Sequence, residues 1–114
     1  MGSLGVKQLP LVALTSDGRK VVQVTATGPT SYTTGGFRVV IGELEKIHAL
    51  LVSVRTNLKV SNYVHVVDYS YAGNTITFTV HRIDVTAAAP AAWSEVPDGT
   101  DISGLVLEIV AIGV

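Results

Sequence analysis

Three histidines, His48, His65 and His81, are the side chains best suited to metal or proton chemistry. Two of them lie in β-rich runs, Tyr63 to Ser70 and Thr75 to Asp84, joined through Tyr71-Ala72-Gly73-Asn74. A hairpin centred on Gly73 sets His65 opposite His81, where Cβ atoms approach to about 5 Å, close enough to share a metal. Two ligands make a poor site, and the sequence supplies no obvious third. The expected reading is therefore a polar pair on the solvated face beside Thr75, Thr77 and Thr79. Asp98-Gly99-Thr100-Asp101-Ile102-Ser103 clusters oxygens as a calcium loop does, but without the EF-hand spacing; a Pro-Asp-Gly turn explains it. Gly35-Gly36 lacks the lysine and helix start of a phosphate loop, and reads as a sharp entry into the strand at Phe37. No Gly-x-Ser-x-Gly elbow and no His-Glu-x-x-His motif occurs, and the sparse carboxylates sit mostly near turns. No enzyme, cofactor or metal is expected.

Aromatic residues offer a binding chemistry instead. Tyr63, Tyr69 and Tyr71 alternate on one side of their strand, and with Tyr32 they raise the possibility of stacking on sugar rings. Packing of the same rings against cross-strand threonines is the plainer alternative. Trp93 sits in an Ala/Pro-rich loop and reads either as an interface anchor or as a cap on the open end of the domain.

These residues must be positioned by a compact, strand-rich chain. The protein has 114 residues, 47% of them hydrophobic and 15% charged, with a net charge of −1 and no cysteine. That apolar content excludes intrinsic disorder, and the absent basic excess argues against charge-driven nucleic-acid or membrane binding. Disulfides, thiol nucleophiles and cysteine-ligated metals are excluded outright. With so little charge, much of the surface must be small, neutral side chains or be covered by partners, which points to an oligomer or an assembly component. Residues 1–6 lack the apolar core of a signal peptide, and the apolar run from Leu105 to Val114 is too short to span a bilayer and is broken by Glu108.

Valine and threonine are the commonest residues, and both favour pleated structure. Leu9 to Thr15 and Lys20 to Thr27 flank Asp17-Gly18, a hairpin signal that places Ala13 opposite Val22 and Leu11 opposite Val24. A breaker-rich loop, 28–36, precedes a strand from Phe37 to Gly42. The stretch 43–56 fits both helical and strand periodicities; a turn of helix near Glu43–Lys46 followed by a strand from His48 to Thr56 is expected. Ile76, Phe78 and Val80 alternate with threonines as a half-buried strand does. Val85 to Asp101 is a long loop, and Leu105 to Ile112 reads as a central strand. Seven strands with mostly short connections predict one all-β domain over residues 9–114: an antiparallel, jelly-roll-like β-sandwich preceded by an extended arm, residues 1–8. Candidate core residues are Leu11, Val22, Val24, Phe37, Val39, Ile41, Leu50, Val52, Val64, Val66, Ile76, Phe78, Val80, Leu107 and Ile109.

Two stretches carry a family resemblance: Ser31-Tyr32-Thr33-Thr34-Gly35-Gly36-Phe37, and Glu95-Val96-Pro97-Asp98-Gly99-Thr100-Asp101-Ile102-Ser103-Gly104 before a C-terminal strand ending Ala111-Ile112-Gly113. Over roughly residues 30–113 the chain resembles virion structural proteins of tailed bacteriophages, the head decoration or cement type. The resemblance implies a non-enzymatic β-fold on the outer surface of the capsid. It also implies a homotrimer at local three-fold positions that bridges neighbouring major capsid proteins, without nucleic acid, membrane or cofactor. It supplies no residue-level sites. Chain features nominate Leu4 and Val6 in the arm, with Pro90, Trp93 and Val96 in the long loop, as interface residues. An eight-residue arm reaches at most about 28 Å, enough to lie across a neighbour. The alternative is a receptor- or glycan-binding module of a phage fibre or tail, or a bacterial adhesion or carbohydrate-binding domain, using Tyr63, Tyr69 and Tyr71.

Overall fold

The structure is a computed structural model describing residues 3–4, 6–7, 11–14, 17–60, 62–86 and 92–114. Side chains are described for the same residues except 3–4, 6–7 and 11. Ten strands form two five-stranded sheets packed face to face as a β-sandwich: β1 (Ser3–Leu4), β2 (Val6–Lys7), β3 (Leu11–Leu14), β4 (Lys20–Thr27), β5 (Phe37–Val40), β6 (Ile47–Thr56), β7 (Tyr63–Ala72), β8 (Thr75–Asp84), β9 (Ser94–Glu95) and β10 (Val106–Gly113). Sheet A runs β1-β5-β8-β7, with β9 beside β8; sheet B runs β2-β4-β10-β6, with β3 beside β4. Pairing is antiparallel except between β1 and β5. β10 lies centrally between β4 and β6, as its nearly continuous apolar run predicts.

Alternation builds the core. Val22, Val24 and Ala26 of β4, Phe37 and Val39 of β5, Ile76, Phe78 and Val80 of β8, and Leu107, Ile109 and Ala111 of β10 all point inward and are buried. Burying each large aliphatic or aromatic side chain contributes about 1.5–3 kcal/mol. Phe37 and Phe78 face each other across β5 and β8 with their rings stacked, centroids 5.3 Å apart.

Both hairpins differ from expectation by one residue, with large consequences. Ala72 pairs with Thr75 around a two-residue turn, Gly73-Asn74, in which Gly73 takes φ +59. The partners of Ile76, Phe78 and Val80 are therefore Tyr71, Tyr69 and Val67. A one-residue change of register exchanges the faces of a strand, so Val64 and Val66 lie outside, 48% and 41% exposed, instead of in the core. In the first hairpin Val12 faces Val22 and Ala13 faces Val21; Leu14 pairs with Lys20, so the connection holds five residues rather than Asp17-Gly18 alone. Residues 15 and 16 within it, and the Leu11 side chain, lie outside the described set.

No helix occurs among the described residues. The turn of helix expected at Glu43–Lys46 is a non-helical turn, in which the Leu44 amide donates to Ile41 O (3.0 Å). The next amides are drawn away from helical partners, because Glu45 N–H donates to Val114 O (2.7 Å) and Ile47 N–H to Gly73 O (2.8 Å). Leu44 itself is buried as a plug between the sheets, and Leu50 and Val52 are only partly buried against the core.

Candidate functional site

The two motif stretches, 60 or so residues apart in the chain, meet at one end of the sandwich. Tyr32 N–H donates to Thr100 O and Gly99 N–H to Tyr32 O, both at 2.8 Å; Ile102 N–H donates to Pro29 O (3.1 Å) and Gly28 N–H to Leu105 O (3.0 Å). Side chains complete the union. The Tyr32 phenol, 1% exposed, donates to Glu95 Oε2 (2.5 Å) and accepts from Val80 N–H (3.2 Å). Glu95 Oε2 also accepts from Gly35 N–H (2.9 Å), and Asp98 Oδ1 accepts from both the amide and the hydroxyl of Thr34. Burial, followed by the Glu95 hydrogen bond, pushes the Tyr32 phenol far above its ordinary pKa, so it stays a neutral donor. Gly36 makes the close approach possible: its φ is +106, and a Cβ there would lie 2.1 Å from Phe78 O. Tyr32, grouped by sequence with the sugar-stacking tyrosines, is thus a buried tie between loops.

This arrangement consumes the carboxylates that sequence reading offered for cation binding. Hydrogen bonds from Thr34 hold the Asp98 carboxyl below its ordinary pKa, and those from Ser103 do the same for Asp101. Asp101 Oδ1 accepts both donors of Ser103, a local turn bond that leaves Asp98 and Asp101 serving different neighbours. Among the described residues no three His, Cys, Asp or Glu side chains converge as metal ligands.

The histidines are likewise separated. His65 pairs with Arg82 and His81 with Val66, so the two rings lie on opposite faces of sheet A rather than side by side. His65 points inward, 5% exposed, and among the described residues its Nδ1 has no hydrogen-bond partner. Burial first, then the Arg82 charge, lowers its pKa. His81 points outward, 3.8 Å from Asp68. His48 is exposed on β6.

Tyr63, Tyr69 and Tyr71 do share one side of β7, the inward one. Tyr69 packs against Phe78 (centroids 6.2 Å), the Arg82 guanidinium stacks 4.0 Å from the Tyr63 ring, and the Tyr71 hydroxyl donates to His48 O at 3.5 Å. Tyr69 and Tyr71 remain two-fifths exposed because β7 is an edge strand.

The interface nominations divide. Trp93 is 49% exposed beside β9. Val96 is a correction: it is 1% exposed, its amide donates to Val80 O (2.9 Å), and its side chain belongs to the core, so it anchors the loop rather than standing on the surface. Leu4 and Val6 lie in β1 and β2, whose backbones pair with this chain's own β5 and β4; their side chains, and Pro90 altogether, lie outside the described residues.

Two surface features were not singled out from sequence. One is an open depression of about 410 Å³ between residues 56–60 and the 101–104 turn. Its charged groups are Lys59 and Asp101, the latter already bonded to Ser103. The other is the outward face of sheet B. There Ala13, Val21, Ile112 and Ala49 form one cross-strand row, and Val110 and Leu51 pair in the next. Leu51 is 69% exposed. Alternation hides this patch in the sequence, because in a strand buried on both faces the same residues would read as core. The chain matches no family model, no curated protein and no solved structure.

Proposed function

We propose that this chain is a non-enzymatic structural protein of a virus particle. In this reading it decorates the outer surface of a tailed-phage head, and the outward face of sheet B is its contact with the major capsid protein. The observation that carries the reading is the aliphatic row on that face, in which the exposed Leu51 stands beside the half-buried Val21, Val110 and Ile112, in a chain with only 15% charged residues. An outward sheet face lined by aliphatic rather than charged side chains is the kind of surface that partners cover. Each contact can be modest, because icosahedral symmetry repeats it over the whole shell. The resemblance of residues 31–37 and 95–104 to head decoration proteins supports the same assignment. The carboxylates that an acid–base mechanism would need at the mated loops are already hydrogen-bonded within the chain.

The test is reconstitution on heads stripped of this protein. The wild-type chain should bind in a copy number close to that of the major capsid protein. Val21→Glu, folded by circular dichroism, should lose that binding. A handful of copies per particle, or unimpaired binding by Val21→Glu, overturns the assignment.

The second reading, a glycan- or receptor-binding module of a fibre or tail, is favoured by the half-exposed Tyr69 and Tyr71 beside Tyr63 on β7. Specific binding on a glycan array that is lost in Tyr69→Ala would select it.

A further inference from the structure

Among the described residues the sandwich leaves one side without a covering strand. β6 and β7, each ten residues long, are edge strands of sheets B and A, and each pairs along its length with a single neighbour, β10 and β8 respectively. They are tied near their ends, by Ile47 N–H to Gly73 O and the Tyr71 hydroxyl to His48 O at one end and by Asn57 Nδ2 to His65 O at the other. Between these ties no other strand among the described residues pairs with β6. A long edge with unpaired amides and carbonyls is a template for another strand, and proteins that stay monomeric blunt it with charge, proline or a bulge.

The two edges differ in this protection. β7 carries Asp68 near its middle, 77% exposed, and a copy of β7 centred there would bring two carboxylates together. β6 carries Ala-Leu-Leu-Val-Ser-Val over 49–54, with no charge between His48 and Arg55 and no proline. The irregularities in its pairing with β10 fall at the two ends of the ladder, leaving the central stretch regular. Its middle also holds Leu51, 69% exposed on the outer face of sheet B.

We infer that β6 is a self-association strand, whose partner is β6 of a second copy of this chain, antiparallel about a two-fold axis perpendicular to sheet B. This inference does not depend on the virion reading. The charge pattern selects the occupant. In a register centred on Leu51, His48 faces Val54 of the second copy and Arg55 faces Ile47. Centred on Val52, His48 faces Thr56 and Arg55 faces Ala49. Neither register opposes two cations, and over the regular central stretch, residues 49–53, both keep outward residues beside outward ones, so the core sides of the two sheets stay aligned there. A second β6 is also already held straight by its own β10, so pairing costs little chain ordering compared with capture of a loose peptide. An isologous contact closes on itself, so the product is a dimer with the apolar outer patch doubled across the axis.

Native mass measurement and oxidative cross-linking test this on the full chain. The wild type should have twice the 12.0 kDa chain mass at high micromolar concentration. Leu51→Lys should run as a monomer with an unchanged circular dichroism spectrum, whereas Ser70→Lys on the β7 edge should remain dimeric. Because the chain has no cysteine, a covalent dimer should form through Leu51→Cys if the register is centred on Leu51 or through Val52→Cys if it is centred on Val52, and should not form through Ser70→Cys. A monomeric wild type overturns the inference, whether or not it binds some other partner. So does a three-fold mass, or a dimer that survives Leu51→Lys.

Discussion

The mated loops at one end and the β6 edge along one side solve opposite problems with similar materials. At the loops, Tyr32, Glu95, Thr34 and Asp98 answer one another's donors and acceptors, together with the amides of Gly35 and Val80. At β6 the backbone along one side meets no strand among the described residues, and Leu51 stands 69% exposed. An internally satisfied hydrogen-bond network around one buried phenol adds stability and offers little to a partner, while an open edge adds little stability and much association. The contrast therefore predicts that substitutions at the loops act on folding and substitutions at the edge act on assembly.

The largest effect is expected at Gly36. Alanine there meets a left-handed backbone and the Phe78 carbonyl together, and should cost more than about 3 kcal/mol in urea unfolding. A loss below about 1 kcal/mol would mean that the loop relaxes without harm and would break the comparison at its firm end. Tyr32→Phe comes next. It removes the phenol from Glu95 and leaves the Val80 amide without its acceptor, a loss of about 1–3 kcal/mol with no change in oligomeric mass.

His65 sharpens the comparison through pH. Its folded pKa lies below the ordinary value of about 6.5, so the unfolded chain binds the proton more readily. Stability is therefore complete above about pH 6.5 and falls as the pH drops from there towards the folded pKa. His65→Leu should flatten that part of the pH–stability curve measured by chemical denaturation; an unchanged slope would show that another group titrates there. Leu51→Lys should have the smallest effect on stability, within about 0.5 kcal/mol, while abolishing the dimer. A destabilisation as large as that of Tyr32→Phe would erase the distinction between the two regions.

Much of the fold was legible in local pattern. The Thr-Ile-Thr-Phe-Thr-Val alternation of β8 and the apolar run of β10 announced their inward residues and their place in the sheets. Register was less legible, because it depends on where a turn closes. Centring the second hairpin on Gly73 instead of closing it at Gly73-Asn74 exchanged the faces of β7, moving Val64 and Val66 inward and aligning His65 with His81. The candidate site was least legible of all. Tyr32 and Glu95 stand 63 residues apart, and no local periodicity links a tyrosine in one breaker-rich loop to a glutamate in another. Val96 illustrates the same point: within a long loop it has no pattern to mark it as core, yet it is almost fully buried.

Composition and alternation by themselves determined that this chain is an all-β sandwich, because side-chain branching and the two-residue repeat act within each strand. Which faces meet, which loops bond and which edge is left unpaired were decided only in the tertiary structure. Those outcomes depend on the docking of two sheets whose contacts join residues remote in sequence, where one residue of register outweighs any local preference.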